Sequence, residues 1–428
     1  MKPTFHDTAP APESACLVGF DTPANCIDGR NVSFEELEAL AGTASVVPVC
    51  SVMVKQRSIN PASFIGQGKV QELKNICGSQ QVHLVIFDHD LSPAQTRNLE
   101  RELDCKIIDR TGLILEIFAQ RARSKEGKLQ VELAQYEYLL PRLTRLWTHL
   151  SRQYGGLGTK GPGETQLEVD RRRVQSRIRR LHSLLEEVRR QHATQRKRRQ
   201  LSDVPVIAIV GYTNAGKSTL LNALTRADVF VEDTLFATLD PTTRLFTLPS
   251  QEQFMFIDTV GFIRNLPHSL VEAFTATLEE TREADVLLHI CDASAPDLLA
   301  QIEAVHSVLR ELHADDKIQL LVFNKIDMLS HRRKKELQEM YSGAAFISAR
   351  LKYGFSDLII KLKKILPGRE RHTRLRLPPH KSQLLSKLHD QGKVLAVEYC
   401  EDAIMVEAMI PETLKSTFQR YKVKEDNT

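Results

Sequence analysis

Lys217 and Ser218 stand side by side at the head of an apolar, helix-forming run, TLLNAL. A cation next to a hydroxyl at that place suits a bound polyphosphate and its metal ion. The full stretch is Gly211-Tyr212-Thr213-Asn214-Ala215-Gly216-Lys217-Ser218, and the strand-like run VIAIV at 206–210 precedes it. This is the spacing GxxxxGK[ST] in a strand–loop–helix context. The glycines let backbone N–H groups approach phosphates, and the following helix N-terminus favours negative charge. Lys217 is expected to neutralise the β- and γ-phosphates and Ser218 to ligate magnesium. Average composition gives this pattern by chance in roughly 1–2% of chains of such length, so it needs company.

The company follows in order. Asp258-Thr259-Val260-Gly261 ends an apolar strand. There Asp258 is expected to hold magnesium through water, and the Gly261 N–H to sense the γ-phosphate. Asn324-Lys325-Ile326-Asp327 ends the next strand but one, placing the Asp327 carboxylate to accept two hydrogen bonds from a guanine edge. Adenine lacks that donor pair and would leave the carboxylate unpaired, a large penalty. Ser348-Ala349, with Arg350 after it, fits a loop backing the base. Phe236-Ala237-Thr238-Leu239-Asp240 offers Thr238 as the magnesium ligand of a first switch, with Thr242 and Thr243 as rivals that spacing alone does not dismiss. Lys217, Thr238 and Gly261 are the residues expected to act in hydrolysis. Phe262 stands where many GTPases carry a water-orienting glutamine. Asn214, fourth in the phosphate loop, is a candidate part of a replacement device. The resemblance to GTPases with GxxNxGKS implies an oxygen ligand for potassium beside the phosphates, and the other reading is a hydrogen-bonder that only stabilises its loop.

These loops need elements to position them. Of 428 residues, 42% are apolar and 26% charged, which excludes a disordered or fibrous chain and suggests about three domains. Residues 204–366 alternate strand-like runs (206–210, 254–258, 286–291, 319–323, 344–347) with helical segments, as a doubly wound α/β domain does. Residues 1–110 alternate in the same way, and Ser92-Pro93-Ala94-Gln95 reads as a capping box opening a helix over 92–103. Residues 111–203 repeat apolar positions at helical spacing either side of a glycine-rich run at 154–163. The economical reading is a long antiparallel helical hairpin with a loop at its tip, whose core takes Tyr136, Tyr138 and Trp147, with base-stacking platforms as the alternative role of these three. Residues 371–380, with two prolines, read as a linker into a short α+β tail, so the last segment is 367–428. Gly66-Gln67-Gly68-Lys69 reads as a glycine turn, with a cradle for a second nucleotide as the sharper alternative.

Charge is segregated. Basic residues exceed acidic ones by ten in 111–203, while 1–110 and 204–366 each carry an excess of four acids, and 367–428 an excess of two bases. A basic block of this kind is a polyanion-binding footprint. Lys160 and Arg171-Arg172-Arg173 are its expected RNA contacts. The seven cysteines are dispersed without a CxxC pair, which argues for reduced thiols. With no signal-peptide pattern or apolar run of transmembrane length, the expectation is a cytoplasmic monomer.

FATLDPTTR, DTVGFIRNLP, NKID and the upstream GGLGTKGPGETQLEVDRR together resemble the HflX family of translational GTPases. The resemblance covers about 10–366. It implies GTP and GDP binding, magnesium, large-ribosomal-subunit RNA as partner, and GTP-linked splitting or rescue of stalled ribosomes. Two other classes stay open on the residues alone. One is an ATP-driven RNA chaperone or helicase working through the N-terminal domain. The other is a regulatory GTPase with a protein partner.

Overall fold

The computed structural model describes residues 13–22, 26–27, 30–55, 59–143, 162–200, 204–225, 234–248, 252–264, 280–366, 370–400, 402–411, 414 and 417–423. The chain is α/β: a small parallel sheet, a pair of long helices, a P-loop domain and a short β-rich tail follow one another.

The first part runs β1 (Glu13–Asp21), a two-residue ribbon β2 (Cys26–Ile27) and β3 (Arg30–Asn31), α1 (Val32–Thr43), β4 (Val46–Lys55), α2 (Gln67–Gln80), β5 (Leu84–Phe87), α3 (Pro93–Leu103) and β6 (Lys106–Asp109). Its four-stranded sheet has the order β4-β1-β5-β6, parallel throughout. Central β1 is covered on both faces, which is why its sequence is a continuous apolar run and not an alternation. Ala15 and Leu17 pack towards α1, while Cys16, Val18 and Phe20 pack towards α2 and α3. The Ser92 capping box is present, with Ser92 and Gln95 exchanging side-chain and backbone hydrogen bonds. Gly66 caps α2 with ordinary backbone angles, and Lys69 pairs with Glu72 of its own helix.

Helix α4 (Arg110–Arg121) starts directly from β6, and α5 (Lys125–Leu143) follows after a three-residue joint. Residues 113–150 read from sequence as one helical stretch, but the chain turns at Ala122, whose extended backbone ends α4. Helix α6 (Pro162–Gln200) packs on α5 through Leu133, Leu181 and Leu185, with Tyr136 beside them, and Arg177 binds Glu132 with two nitrogens. Tyr138 faces the first domain instead, donating to Asp109. Trp147 and the run 154–161 lie outside the described residues.

The P-loop domain comprises β7 (Val206–Gly211), α7 (Lys217–Thr225), β8 (Thr242–Thr247), β9 (Gln253–Asp258), β10 (Val286–Asp292), α8 (Leu298–Glu311), β11 (Ile318–Asn324), α9 (His331–Met340), β12 (Ala345–Phe346) and α10 (Phe355–Ile365). Its sheet order is β12-β11-β10-β7-β9-β8, and only β8 runs antiparallel to its neighbour. The strand order departs from β7 in both directions, so the loop after β7 opens a crevice at the carboxyl edge of the sheet, where ligands bind in such folds. Ile207 and Ile209 face α7 and α10, while Ala208 and Val210 face α8. That second core is continuous with α1, α4 and β5 of the first part.

The tail contradicts the linker reading. Residues 371–377 belong to β13 (Glu370–Leu377), paired with β15 (Ile404–Pro411), which also pairs with β14 (Lys393–Tyr399) under α11 (Ser382–Gln391). The period-two signal was present: Leu375 and Leu377 are fully buried, while Arg374 lies on the other face. The charged residues between them masked the alternation.

Candidate functional site

Most of the sequence-predicted residues converge on one cavity of about 540 Å³, within the range of small-molecule and nucleotide sites. Thr213, Asn214, Gly216, Lys217, Ser218, Phe236, Ala237, Thr238, Gly261, Asn324, Lys325, Asp327, Ser348, Ala349 and Arg350 line it, and so do Thr219, Thr234 and Met328, which sequence reasoning missed. Thr219 was findable as the next residue of the helix start, whereas Thr234 and Met328 carry no such signal.

The phosphate loop is shaped by its glycines. Gly216 sits at φ +91°, where a Cβ would meet the Asn324 amide at 2.2 Å. Asn214 also has positive φ (57°), a conformation asparagine tolerates better than most residues. Its side chain is exposed and makes no hydrogen bond to the described residues. Lys217 is buried, and its ammonium donates to the Gly211 and Tyr212 carbonyls at 3.1 and 2.8 Å. Burial pushes it down to about 8, partly opposed by Asp258.

Three oxygens gather beside it. Ser218 Oγ lies 2.6 Å from Asp258 Oδ2 and 2.8 Å from Thr238 Oγ1, and Thr238 Oγ1 lies 3.1 Å from the same carboxylate oxygen. Thr242 and Thr243 are instead register partners of Asp258 and Ile257 along β8. Burial raises Asp258 despite hydrogen bonds from Ser218 and Thr238 and the nearby Lys217. Its second oxygen, Oδ1, is buried without a hydrogen-bond partner among the described residues. Hard oxygen donors around an under-compensated carboxylate fit magnesium.

Around the base-side loops, Asn324 is a girder. Its amide donates to the Ala215 carbonyl and its oxygen accepts from the Ala349 N–H, both at 2.9 Å, joining three loops. Lys325, at positive φ, pairs with Asp292 at 2.7 Å. Ile326 is buried in the core beside this loop and leaves Asp327 on the cavity wall.

Other predicted residues do not face the cavity. Gly211 and Ala215 shape the loop from behind, and the Thr259 hydroxyl donates to the Ile209 carbonyl. Leu239 and Val260 are buried in the core shared with the first domain. Phe262 is there too, but its backbone pairs with the phosphate loop: Thr213 N–H donates to its carbonyl at 2.7 Å, and its own N–H donates to Gly211. Tyr212 points away from the cavity and donates to Glu36 of α1. Arg110 binds that same Glu36, Asp88 at 2.7 Å and the Arg264 carbonyl, and the Arg264 N–H donates to the Tyr212 hydroxyl. Burial raises both Glu36 and Tyr212. Asp240 turns towards α5. Of the expected RNA contacts, Arg171, Arg172 and Arg173 are exposed on α6, while Lys160 lies outside the described residues.

A phosphate loop after a central parallel strand, an NKxD loop and a DxxG loop around one cavity define a P-loop GTPase. Family models agree along the chain: "GTP-binding GTPase N-terminal" matches residues 31–119, "GTP-binding GTPase Middle Region" 121–199, and "50S ribosome-binding GTPase" 206–325. The chain is 46% identical over 389 residues to GTPase HflX of Caldanaerobacter subterraneus, covering 91% of this chain and 90% of that protein. It is 47% identical over 370 residues to GTPase HflX of Escherichia coli, covering 86% and 87%. Among solved structures, a GTP-binding protein from Sulfolobus solfataricus in complex with GDP is 27% identical over 83% of this chain and 98% of that one, at a TM-score of 0.43. The chain belongs to the HflX family of GTPases, and it hydrolyses GTP. No described helix is long and apolar enough to cross a membrane.

Proposed function

We propose that this GTPase is a ribosome-associated factor that binds the large subunit and splits or rescues stalled ribosomes, working in the cytoplasm as a monomer. The supporting observation is a run of three exposed arginines, Arg171 to Arg173, on a 39-residue helix of a chain whose GTPase region resembles "50S ribosome-binding GTPase". Arg172 and Arg173 pair with Glu168 and Asp170 of their own helix, but exposed pairs like these are worth only about 0.3–0.5 kcal/mol and yield to phosphates. The working units are taken as 1–110, 111–203, 204–366 and 367–428, with 111–203 as the RNA-facing one, including Lys160.

In the GTP site, Lys217 would exchange its two carbonyl partners for the β- and γ-phosphates. Ser218 and Thr238 would hold magnesium, with Asp258 behind them. Magnesium supplies neutralisation of the charge on the phosphate oxygens. The Gly261 N–H would read the γ-phosphate, and Gly261 stays close to the loop because a Cβ there would meet Thr213 and Lys217 at 2.9 and 3.0 Å. Asp327 would accept the guanine donors. Phe262, buried and apolar, orients no water, so Asn214 with potassium is the device proposed in place of a glutamine.

The decisive experiment is co-sedimentation with separated ribosomal subunits under GDP and under a non-hydrolysable GTP analogue. The expected outcome is analogue-dependent pelleting with the large subunit. Equal, weak pelleting with both subunits in both nucleotide states would reject the reading.

A further inference from the structure

Asp240 lies two residues after Thr238, yet its carboxylate leaves the nucleotide cavity and seats itself on the start of α5. Oδ2 accepts the backbone N–H groups of Arg123 and Ser124 at 2.9 and 2.8 Å, and Oδ1 accepts the Ser124 hydroxyl. Ser124 caps α5 in turn, its oxygen accepting the Gly127 N–H at 2.8 Å. The anion thus meets both free N–H groups and the positive end of the helix dipole. Two further contacts tie the same segment to α4. Phe236 packs edge-on against Phe118, ring centroids 4.8 Å apart, and Arg121 donates to the Thr234 hydroxyl at 3.2 Å.

We infer that the α4–α5 joint is a positioning element for GTP hydrolysis: Ser124 and the adjacent N–H groups hold Asp240, and through it hold the Thr238 hydroxyl beside Ser218 and Asp258. This rests on the reading of Thr238 as a magnesium ligand. Because α5 is packed on α6, any force on the arginine-bearing helix reaches Thr238 along this path, and nucleotide state acts back along it with equal coupling. Gly127 is part of the arrangement. A Cβ there would lie 2.3 Å from Asp240 Oδ1, and the carboxylate cannot yield without releasing its donors.

Gly127→Ala tests this cleanly, since alanine favours the helix while expelling the carboxylate. Ser124→Ala removes the hydroxyl, and Ser124→Thr restores it. For Gly127→Ala and Ser124→Ala, GDP affinity is expected to stay within about twofold of wild type, while kcat for GTP falls about tenfold as a transition-state contact is misplaced. The free magnesium needed for half-maximal turnover should rise several-fold, and Ser124→Thr should recover both. Wild-type kcat and magnesium requirement in Gly127→Ala would overturn the inference. Thr238→Ala distinguishes failure of the underlying reading: if that variant keeps wild-type turnover and magnesium requirement, Thr238 is no magnesium ligand and the reading itself has failed.

Discussion

The Lys217 ammonium, whose hydrogen-bond partners are two carbonyls, is pushed by burial from its ordinary 10.5 down to about 8, with the Asp258 charge opposing. A bound polyphosphate favours its charged form and raises the value again. Below about pH 8 the lysine is charged with or without nucleotide, and affinity is flat. Above it the free protein has lost a proton that the complex keeps, so affinity declines with rising pH, by up to about tenfold per unit. Titration calorimetry at about pH 9 in buffers of different ionisation heat should therefore register uptake approaching one proton. No uptake would take Lys217 off the phosphates. Asn214 poses a different question, because its positive φ accounts for the residue type without any ion. Asn214→Gly keeps that backbone accessible and deletes the side chain with its oxygen. If potassium sits there, the wild type should turn over faster in potassium than in sodium at equal ionic strength, and the glycine variant should lose the difference. A preference that survives intact in the variant would leave Asn214 with its backbone role alone.

At the scale of elements, the loops assigned to the phosphates were legible because that chemistry fixes residue type and spacing together. Gly216 needs positive φ, Lys217 must follow it, and both must open a helix. The partners of those loops were not legible. Nothing local in Tyr212 announces Glu36, since they lie 176 residues apart, and Asp240 gives no sign that it faces α5. Strand β13 was missed for another reason: its exposed face carries arginines, so the apolar alternation was hidden by charge. The Arg110 network shows what such long-range partners hold together. Arg110 is buried, with one terminal nitrogen on both Glu36 and the Arg264 carbonyl and the other on Asp88, bridging α1, the turn after β5 and the segment after Gly261. Arg110→Ala would strand two acids in the interior. Breaking such a buried pair costs about 3–5 kcal/mol, so urea unfolding of the variant should begin at markedly lower denaturant. A loss under about 1 kcal/mol would mean that water reaches the acids and the network adds little.

For the whole molecule, the segregated charge and the shared core bear on the same question: how a GTPase could act on something as large and as negative as ribosomal RNA. Most of the excess of basic residues lies in 111–203, the segment containing α5 and α6, while the GTPase domain carries an excess of acids. On the proposed function, repulsion would keep RNA off the nucleotide domain and attraction would bring it to α6. The sequence disclosed that division by counting alone, but not that α6 is anchored through α5 to the switch segment. Converting Arg171, Arg172 and Arg173 together to alanine separates charge from switching. All three are exposed, so the helix should survive, and alanine raises its propensity. If each arginine neutralises one phosphate, the slope of log affinity for the large subunit against log salt should flatten by about two to three units. Affinity at low salt should fall, while GTP turnover without ribosomes should hold, because none of the three approaches the nucleotide cavity. An unchanged slope would make these arginines no more than a solvated helix face. Loss of basal turnover would instead show that the helix supports the site mechanically even when no RNA is bound.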